Sequence, residues 1–379
     1  MRVLIDATPV PADRGGVGRY VDELVPALIR AGVDVVAVVQ GRDEAGRRAE
    51  WPGAEVVVAP SATARRPARF AWEQTGLPTL ARGVRADVLH SIHYTSPVIR
   101  SAQASVVTVH DATFFSHPEL HLGIKGRVFR AAIRRAVRRV DEVVVPSAAT
   151  RDEVLRYAGG HADHFTVAPH GVNARQFHPA AAAEVARVRS ALGLGDQPYV
   201  AFLGTLEPRK NVPALIRAWV RASDRLDRAP ALVLAGGAGW DGGVQPAVDS
   251  VPSHLTLIRP GYLPLEDLAG FLGGAEVVAY PSLGEGFGLP VLEAMACGAA
   301  VLTTRELSLP EVGGDAVAYV DPDEASISAG LLALLGDGER RRELRAAALA
   351  RAGTFTWDAS ALAHRAAYER AVARHSRRR

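Results

Sequence analysis

Two carboxylates, Glu285 and Glu293, stand eight positions apart in the segment Pro281–Gly298, PSLGEGFGLPVLEAMACG. Between them lie a glycine-rich turn and the opening of a helix. The apolar run Ala275–Tyr280 reads as a buried strand leading into that turn. Pro290 suits the first helical position, where its missing N–H has no intrahelical acceptor to lose. The free N–H groups of that helix start, made approachable by Gly286 and Gly288, form an anion site. A phosphate there has Glu285 before it and Glu293 about a turn into the helix. Carboxylates do not hold phosphate, but they accept hydrogen bonds from hydroxyls. The ligand implied has hydroxyls at both ends and a diphosphate between them, which describes a nucleotide sugar.

A second segment, GTLEPRKN (Gly204–Asn211), follows an apolar run and offers Arg209 and Lys210 as cations for a diphosphate. Of 44 basic Lys and Arg residues only two are lysine, Lys125 and Lys210, so a lysine in such a loop stands out. A solvated Arg–Lys pair is the alternative reading. Earlier in the chain, Gly15, Gly16 and Gly18 lie between a strand and a helix and let backbone approach a ligand. Turn geometry alone also explains them, and no Gly-Lys-Ser/Thr follows to make a P-loop. His110 and Asp111 end a predicted strand Ser105–His110 at its carboxyl edge. The loops GGAGW (Gly236–Trp240) and RPGYLPLEDL (Arg259–Leu268), the latter with Gly261 and Tyr262, are placed to line a base.

The segment around Glu285 resembles the E-x7-E signature of retaining family 4 glycosyltransferases, which have the GT-B fold. The match extends through Gly286, Phe287, Gly288, Leu289 and Pro290 to the small-residue helix beyond. The resemblance implies that Glu285 meets hydroxyls of the donor sugar and Glu293 the nucleotide ribose. It implies that His110 faces the donor sugar, that the Gly15–Gly16 loop covers the donor phosphates, and that Gly204, Arg209 and Lys210 hold the diphosphate. His110, Glu285, Lys210 and Arg209 are thus the expected catalytic residues. Gly261 and Tyr262 join the donor-binding set. The commonest family pattern has an arginine directly after the glycine, where this chain has Thr205, so Arg209 would have to substitute for it. HDATFFSHPELH resembles bacterial mannosyl- and rhamnosyltransferases of surface-glycan synthesis. That makes GDP-mannose the first expected donor, with a UDP-sugar as alternative and a glycan, lipid-linked or small-molecule acceptor.

The elements that must position these groups follow from hydropathy. Apolar β-rich runs alternate with helical patterns along almost all 379 residues. This is the signature of α/β architecture with parallel sheets. Predicted strands are 3–6, 33–39, 55–59, 87–90, 105–110, 142–146 and 165–169, then 199–204, 231–236, 255–259, 275–280, 300–303 and 316–320. Two doubly wound, Rossmann-like domains facing across a cleft are expected. Residues 1–180 form the acceptor domain, 181–356 the donor domain, and 357–379 a helix crossing back to the first. Ligands of such sheets bind outside the carboxyl ends of the strands, where these motifs fall.

Several classes are set aside. No apolar run approaches the ~20 residues of a bilayer span, and Met1–Pro9 lacks a signal-peptide layout. The single cysteine, Cys297, fits a reducing cytoplasm. A net charge of +3 gives no reason to expect nucleic acid. HPELH (His117–His121) lacks the His-Glu-x-x-His order of a zinc site, and Asp321-Pro-Asp323 comes too late to be a metal-binding D-x-D, so no metal or other cofactor is expected. A nicotinamide dehydrogenase would need its glycine motif directly on the first strand. A pyridoxal-dependent phosphorylase would need a late buried lysine outside a phosphate loop. A non-catalytic sugar-binding protein is separated only by assay. Arg127, Arg130, Arg134 and Arg138 recur at helical spacing, with Arg135 and Arg139 beside them. Together with Arg65, Arg66, Arg69, Phe70 and Trp72 they form either a face for an anionic membrane or plain solvated surface. Oligomeric state is not legible.

Overall fold

The computed structural model describes residues 1–12, 15–99, 101–116, 118 and 123–378. Asp13 and Arg14 of the glycine segment lie outside the described residues, as do His117, Glu119 and His121 of HPELH. The chain divides into two compact units, Met1–Gly171 with Thr356–Arg379, and Val172–Phe355. The sequence-based boundary at 180/181 therefore falls inside the second unit. The reason is that 172–180 carries Phe177 and Val172 into the core of the second sheet.

In the first unit the strands are β1 (Arg2–Asp6), β2 (Asp34–Val39), β3 (Glu55–Val58), β4 (Val88–Ser91), β5 (Ala104–Thr108), β6 (Glu142–Val145) and β7 (Phe165–Val167). They form one sheet in the order β3-β2-β1-β4-β5-β6-β7, every pairing parallel. Side-chain alternation splits the core by faces. Val3 and Ile5 join one cluster with the helices Gly15–Arg30 and Trp357–Arg377, while Leu4 joins another with the helix Arg66–Gly83. The C-terminal helix thus belongs to the first unit's core through Trp357, Ala361, Ala367, Tyr368 and Ala371.

The second unit holds β8 (Tyr199–Leu203), β9 (Ala231–Ala235), β10 (Leu257–Gly261), β11 (Val277–Tyr280), β12 (Val301–Thr304) and β13 (Ala318–Val320). The order β10-β9-β8-β11-β12-β13 is again all parallel. β8, β9 and β11 are buried along their whole length, as central strands covered on both faces require. Pro260 and Gly261, expected in a loop, belong to β10. Pro260 is tolerated there because β10 is an edge strand with a shifted register at Ile258–Gly261.

The arginine-rich helix Gly123–Arg139 spends part of its charge locally. Arg134 Nε and Arg138 Nε donate to the carbonyls of Tyr157 and Ala158, at 3.1 and 3.0 Å. These cap the carboxyl end of the helix Ala148–Ala158, where cations oppose the helix dipole. Arg130 Nη1 donates to Phe114 O at 3.1 Å.

Candidate active site

Each sheet reverses its winding once, between β1 and β4 in the first unit and between β8 and β11 in the second. A doubly wound sheet opens a crevice at such a point, beyond the carboxyl ends of its strands. In the second unit β8 leads to Arg209 and Lys210, and β11 leads to Glu285, so the predicted cations and the first carboxylate flank the switch point. The two loops are joined through backbone. Leu283 N donates to Arg209 O at 2.7 Å, and Ser282 Oγ lies 2.9 Å from the same oxygen.

Glu285 is the hub. Its Oε1 accepts from Lys210 Nζ at 2.5 Å, Ser282 Oγ at 2.8 Å and Tyr280 Oη at 3.0 Å, while Oε2 accepts from Arg209 Nη1. Arg209 Nη2 also reaches Glu207 Oε1 at 2.6 Å. Burial alone would raise the Glu285 carboxyl, but Arg209 and Lys210 outweigh it and hold the group at about 2. Burial, and then the adjacent Arg209, lower the Lys210 ammonium from its usual range, with Glu285 and Glu207 opposing. A carboxylate has about four acceptor positions, so Oε2 retains room for a further donor such as a hydroxyl.

The hub is held from outside by hydroxyls of β12 and the segment after it. Thr303 Oγ1 donates to Tyr280 O at 2.8 Å, Thr304 Oγ1 to Ser282 O at 2.6 Å and Ser308 Oγ to Glu285 O at 2.7 Å. Tyr280 is the last residue of β11 and the other two carbonyls lie in the turn beyond it, so the hydroxyls take the place of ladder partners that the strand end no longer supplies. Gly286, Phe287 and Gly288 complete the turn. Gly288 caps the helix Leu289–Ala296 with φ +102°, and a Cβ there would lie 2.9 Å from Leu309, so only glycine fits. Pro290 occupies the second helical position rather than the first, because the helix already starts at Leu289; both positions lack an intrahelical N–H acceptor. Glu293 is buried one turn into that helix.

Gly204 follows β8 directly and abuts Gly236, where a Cβ would lie 2.3 Å from Gly204 O. Leu206 N donates to Gly237 O at 3.0 Å, which ties the base-loop candidate GGAGW to the loop after β8. In the same unit Trp240 is 62% and Tyr262 66% exposed, large rings left to solvent at the strand ends. Asp323 caps the helix Glu324–Gly336 through Ala325 N and Ser326 N, which accounts for the late D-x-D. Among the described residues no group of three or more His, Cys, Asp or Glu is placed to hold a metal ion.

The first unit presents different chemistry. His110 lies two residues beyond β5, whose last paired residue is Thr108; Val109 N makes the final bond to β6, at Val144 O, before the backbone leaves the sheet. His110 Nε2 donates to Ile92 O at 2.7 Å, and burial lowers its acidity range, leaving Nδ1 as the lone-pair nitrogen. Asp111 accepts from Thr113 N, Thr113 Oγ1 and Tyr94 Oη, starting the helix Thr113–Ser116. Gly15 and Gly16 are the exposed first turn of the helix Gly15–Arg30 rather than a loop before it. The physical reason is that glycine tolerates the open helix start, and Gly15 takes φ +45°.

Beneath them runs a single-direction hydrogen-bond chain. His364 Nδ1 donates to Ser360 O at 2.7 Å, so its Nε2 accepts from Tyr20 Oη at 2.8 Å. Tyr20 then accepts from Thr108 Oγ1 at 2.9 Å, Thr108 from His90 Nε2 at 2.7 Å, and His90 Nδ1 from Tyr368 Oη at 2.9 Å. Both histidines of this relay are held neutral by burial, which brings His364 to about 4 and His90 well below its usual value.

Sequence reasoning did not single out Tyr280, Ser282, Glu207 or the hydroxyls Thr303, Thr304 and Ser308. The signal was present as polar-tipped residues at the ends of otherwise apolar strands. Nor did it single out the Tyr20–His364 chain, whose members are scattered over the whole unit.

Comparison with known proteins agrees with this fold. The family model for Glycosyltransferase Family 4 matches residues 14–176, and that for Glycosyl transferases group 1 matches residues 186–351. O-antigen chain mannosyltransferase B of Escherichia coli is 28% identical over 94% of this chain and 97% of its own. The serotype-specific mannosyltransferase WbdA of Escherichia coli is 31% identical over 71% of this chain, which spans about a third (34%) of that longer protein. The crystal structure of Anabaena HepE in complex with UDP-glucose has a TM-score of 0.75 at 16% identity, covering 97% of this chain and 98% of that one. The chain belongs to the family 4 glycosyltransferases and has the GT-B fold.

Proposed function

We propose that the protein is a retaining glycosyltransferase that moves a hexose from a nucleotide-diphospho-sugar to a hydroxyl of a glycan or lipid-linked acceptor. Mannose from GDP-mannose is the donor this reading favours. The observation that carries it is the convergence of Arg209, Lys210 and Glu285 at the switch point of the second sheet, beside the start of the helix Leu289–Ala296. The mannosyltransferase relatives support the sugar. The UDP-glucose complex of HepE keeps a UDP-sugar as the second donor reading.

In this reading the cations and the helix start meet the diphosphate, Glu285 Oε2 accepts from a sugar hydroxyl, and Glu293 serves the ribose. Trp240 and Tyr262 offer rings to the base, and His110 Nδ1 accepts from a sugar hydroxyl. As the bond from C1 to the phosphate oxygen breaks, negative charge grows on the diphosphate where Lys210 and Arg209 act most strongly. The acceptor oxygen bonds to C1 on the same face, and its proton passes to the departing phosphate oxygen. No metal ion is assigned a role. The test supplies GDP-mannose or UDP-glucose with oligomannoside acceptors, follows nucleotide release, and reads the anomer of the product by proton NMR. Retained configuration with GDP-mannose, undiminished by excess EDTA, is expected. An inverted product, or loss on chelation with rescue by manganese, contradicts the mechanism. Turnover of UDP-glucose alone transfers the reading to the second donor.

A further inference from the structure

Tyr280 is the last residue of β11 and is 1% exposed. Its ring stacks on Phe202 of β8 at 5.7 Å between centroids, a contact phenylalanine would make equally well. A buried hydroxyl costs free energy unless it finds partners. Here it finds two of opposite charge, donating to Glu285 Oε1 at 3.0 Å and accepting from the Lys210 ammonium. The ammonium also lies 4.7 Å from the ring centroid. Two of its three hydrogens are therefore aimed, one at Tyr280 and one at Glu285 at 2.5 Å. Glu207 Oε1, at 3.9 Å, is beyond hydrogen-bond reach and leaves the third without a protein acceptor among the described residues.

We propose that Tyr280 is a positioning residue of the donor site, fixing the Lys210 ammonium against Glu285 so that its remaining N–H is presented to the leaving diphosphate. Only the identity of that ligand rests on the donor reading above; the contact between Tyr280 and Lys210 stands without it. A phenol oxygen accepting from an ammonium favours the charged form, whereas burial and Arg209 disfavour it. Without the hydroxyl, Lys210 gives up its proton at lower pH and loses its fixed aim.

The sequence contains only two lysines, Lys125 and Lys210, so lysine carrying 13C at Cε yields two NMR signals, assigned with Lys125→Arg. Titrated over roughly pH 6 to 11, the Lys210 midpoint in Tyr280→Phe is expected about one pH unit below the parent, the size of a lost charged hydrogen bond. Phe202→Leu removes the stacking partner but keeps the hydroxyl, and is expected to leave the midpoint in place. Calorimetric titration with GDP is expected to show several-fold weaker binding to Tyr280→Phe, the deficit growing with pH. An unchanged midpoint in folded Tyr280→Phe, or an equal shift in Phe202→Leu, overturns the assignment. If the midpoint moves but GDP binds neither protein, Tyr280 keeps its effect on Lys210 and the donor reading fails.

Discussion

The two units wind the same strand order around the same kind of switch point and fill it with opposite chemistry. In the second, Arg209 and Lys210 face Glu285 and Glu207 in a charged cluster that polar hydroxyls hold in place. In the first, His90, Thr108, Tyr20 and His364 make a neutral relay, with His110 above it. Topology decides where a ligand meets a doubly wound sheet, and side chains decide which ligand. A charged cluster suits a diphosphate whose charge changes during reaction. A neutral one suits groups that must stay uncharged and oriented.

The largest expected effect breaks the charged side of this contrast. Lys210→Ala should reduce turnover of GDP-mannose by about 10²–10³-fold, the usual cost of removing one electrostatic donor. Lys210→Arg should recover only part, since a planar fork replaces a compact charge. Nucleotide release measures both, and circular dichroism checks folding. A turnover within a few-fold of the parent would place the diphosphate elsewhere.

Glu293→Ala should weaken GDP binding by about 1.5–3 kcal/mol, as expected for a charged hydrogen-bond partner to ribose hydroxyls. Titration calorimetry reads this directly. Equal affinity in a folded variant removes Glu293 from the ribose.

Acid should separate the units. His90, His93, His110, His170 and His364 all have acidity ranges lowered by burial, His93 to about 3 and His364 to about 4. The unfolded chain binds those protons near pH 6.5 and the folded chain does not, so stability falls as pH drops below about 6.5. Glu73 acts in the opposite sense. Burial and then Asp6 raise it to about 7, so its contribution is complete below the ordinary carboxylate range and is lost as pH rises through 7. Glu285, held at about 2, loses its contribution only as pH falls below the ordinary range. Hydrogen exchange followed by mass spectrometry between about pH 7 and 5 should therefore show the first unit loosening before the second. Simultaneous loosening would contradict the contrast.

The smallest effect concerns the helix Gly123–Arg139. With Arg130, Arg134 and Arg138 bonded to carbonyls, any attraction to anionic vesicles should rest on Arg127, Arg135 and Arg139. Flotation with phosphatidylglycerol vesicles at low salt should show weak binding that Arg127→Ala, Arg135→Ala and Arg139→Ala together abolish. Binding unaffected by those substitutions would move the attraction to another surface.

Much of this contrast was legible in the residue order. The apolar runs located all the described strands, because buried parallel strands are nearly continuous hydrophobic segments. Errors fell at strand ends. His110 was assigned to a strand that stops at Thr108, and Gly261 to a loop that begins one residue later, since hydropathy does not report where a ladder releases its backbone. Arg209, Lys210 and Glu285 were legible as candidates because short motifs carry them, and the fold sets those motifs on the loops after β8 and β11, neighbours in the sheet. Tyr280, Ser282, Thr303 and Ser308 were missed because their partners are tertiary: a hydroxyl at a strand end looks the same whether it faces solvent or a carboxylate. The Tyr20–His364 pair, 344 positions apart, has no local pattern at all.

The most direct measurement is calorimetric titration of GDP and UDP into the parent protein and into the Arg209→Ala, Lys210→Ala double variant, with pyrophosphate as competitor. One nucleoside diphosphate should bind the parent, be displaced by pyrophosphate, and bind the double variant at least tenfold more weakly, about 1.4 kcal/mol or more. Equal binding to both proteins, or binding that pyrophosphate leaves untouched, would contradict a diphosphate site built on these two cations.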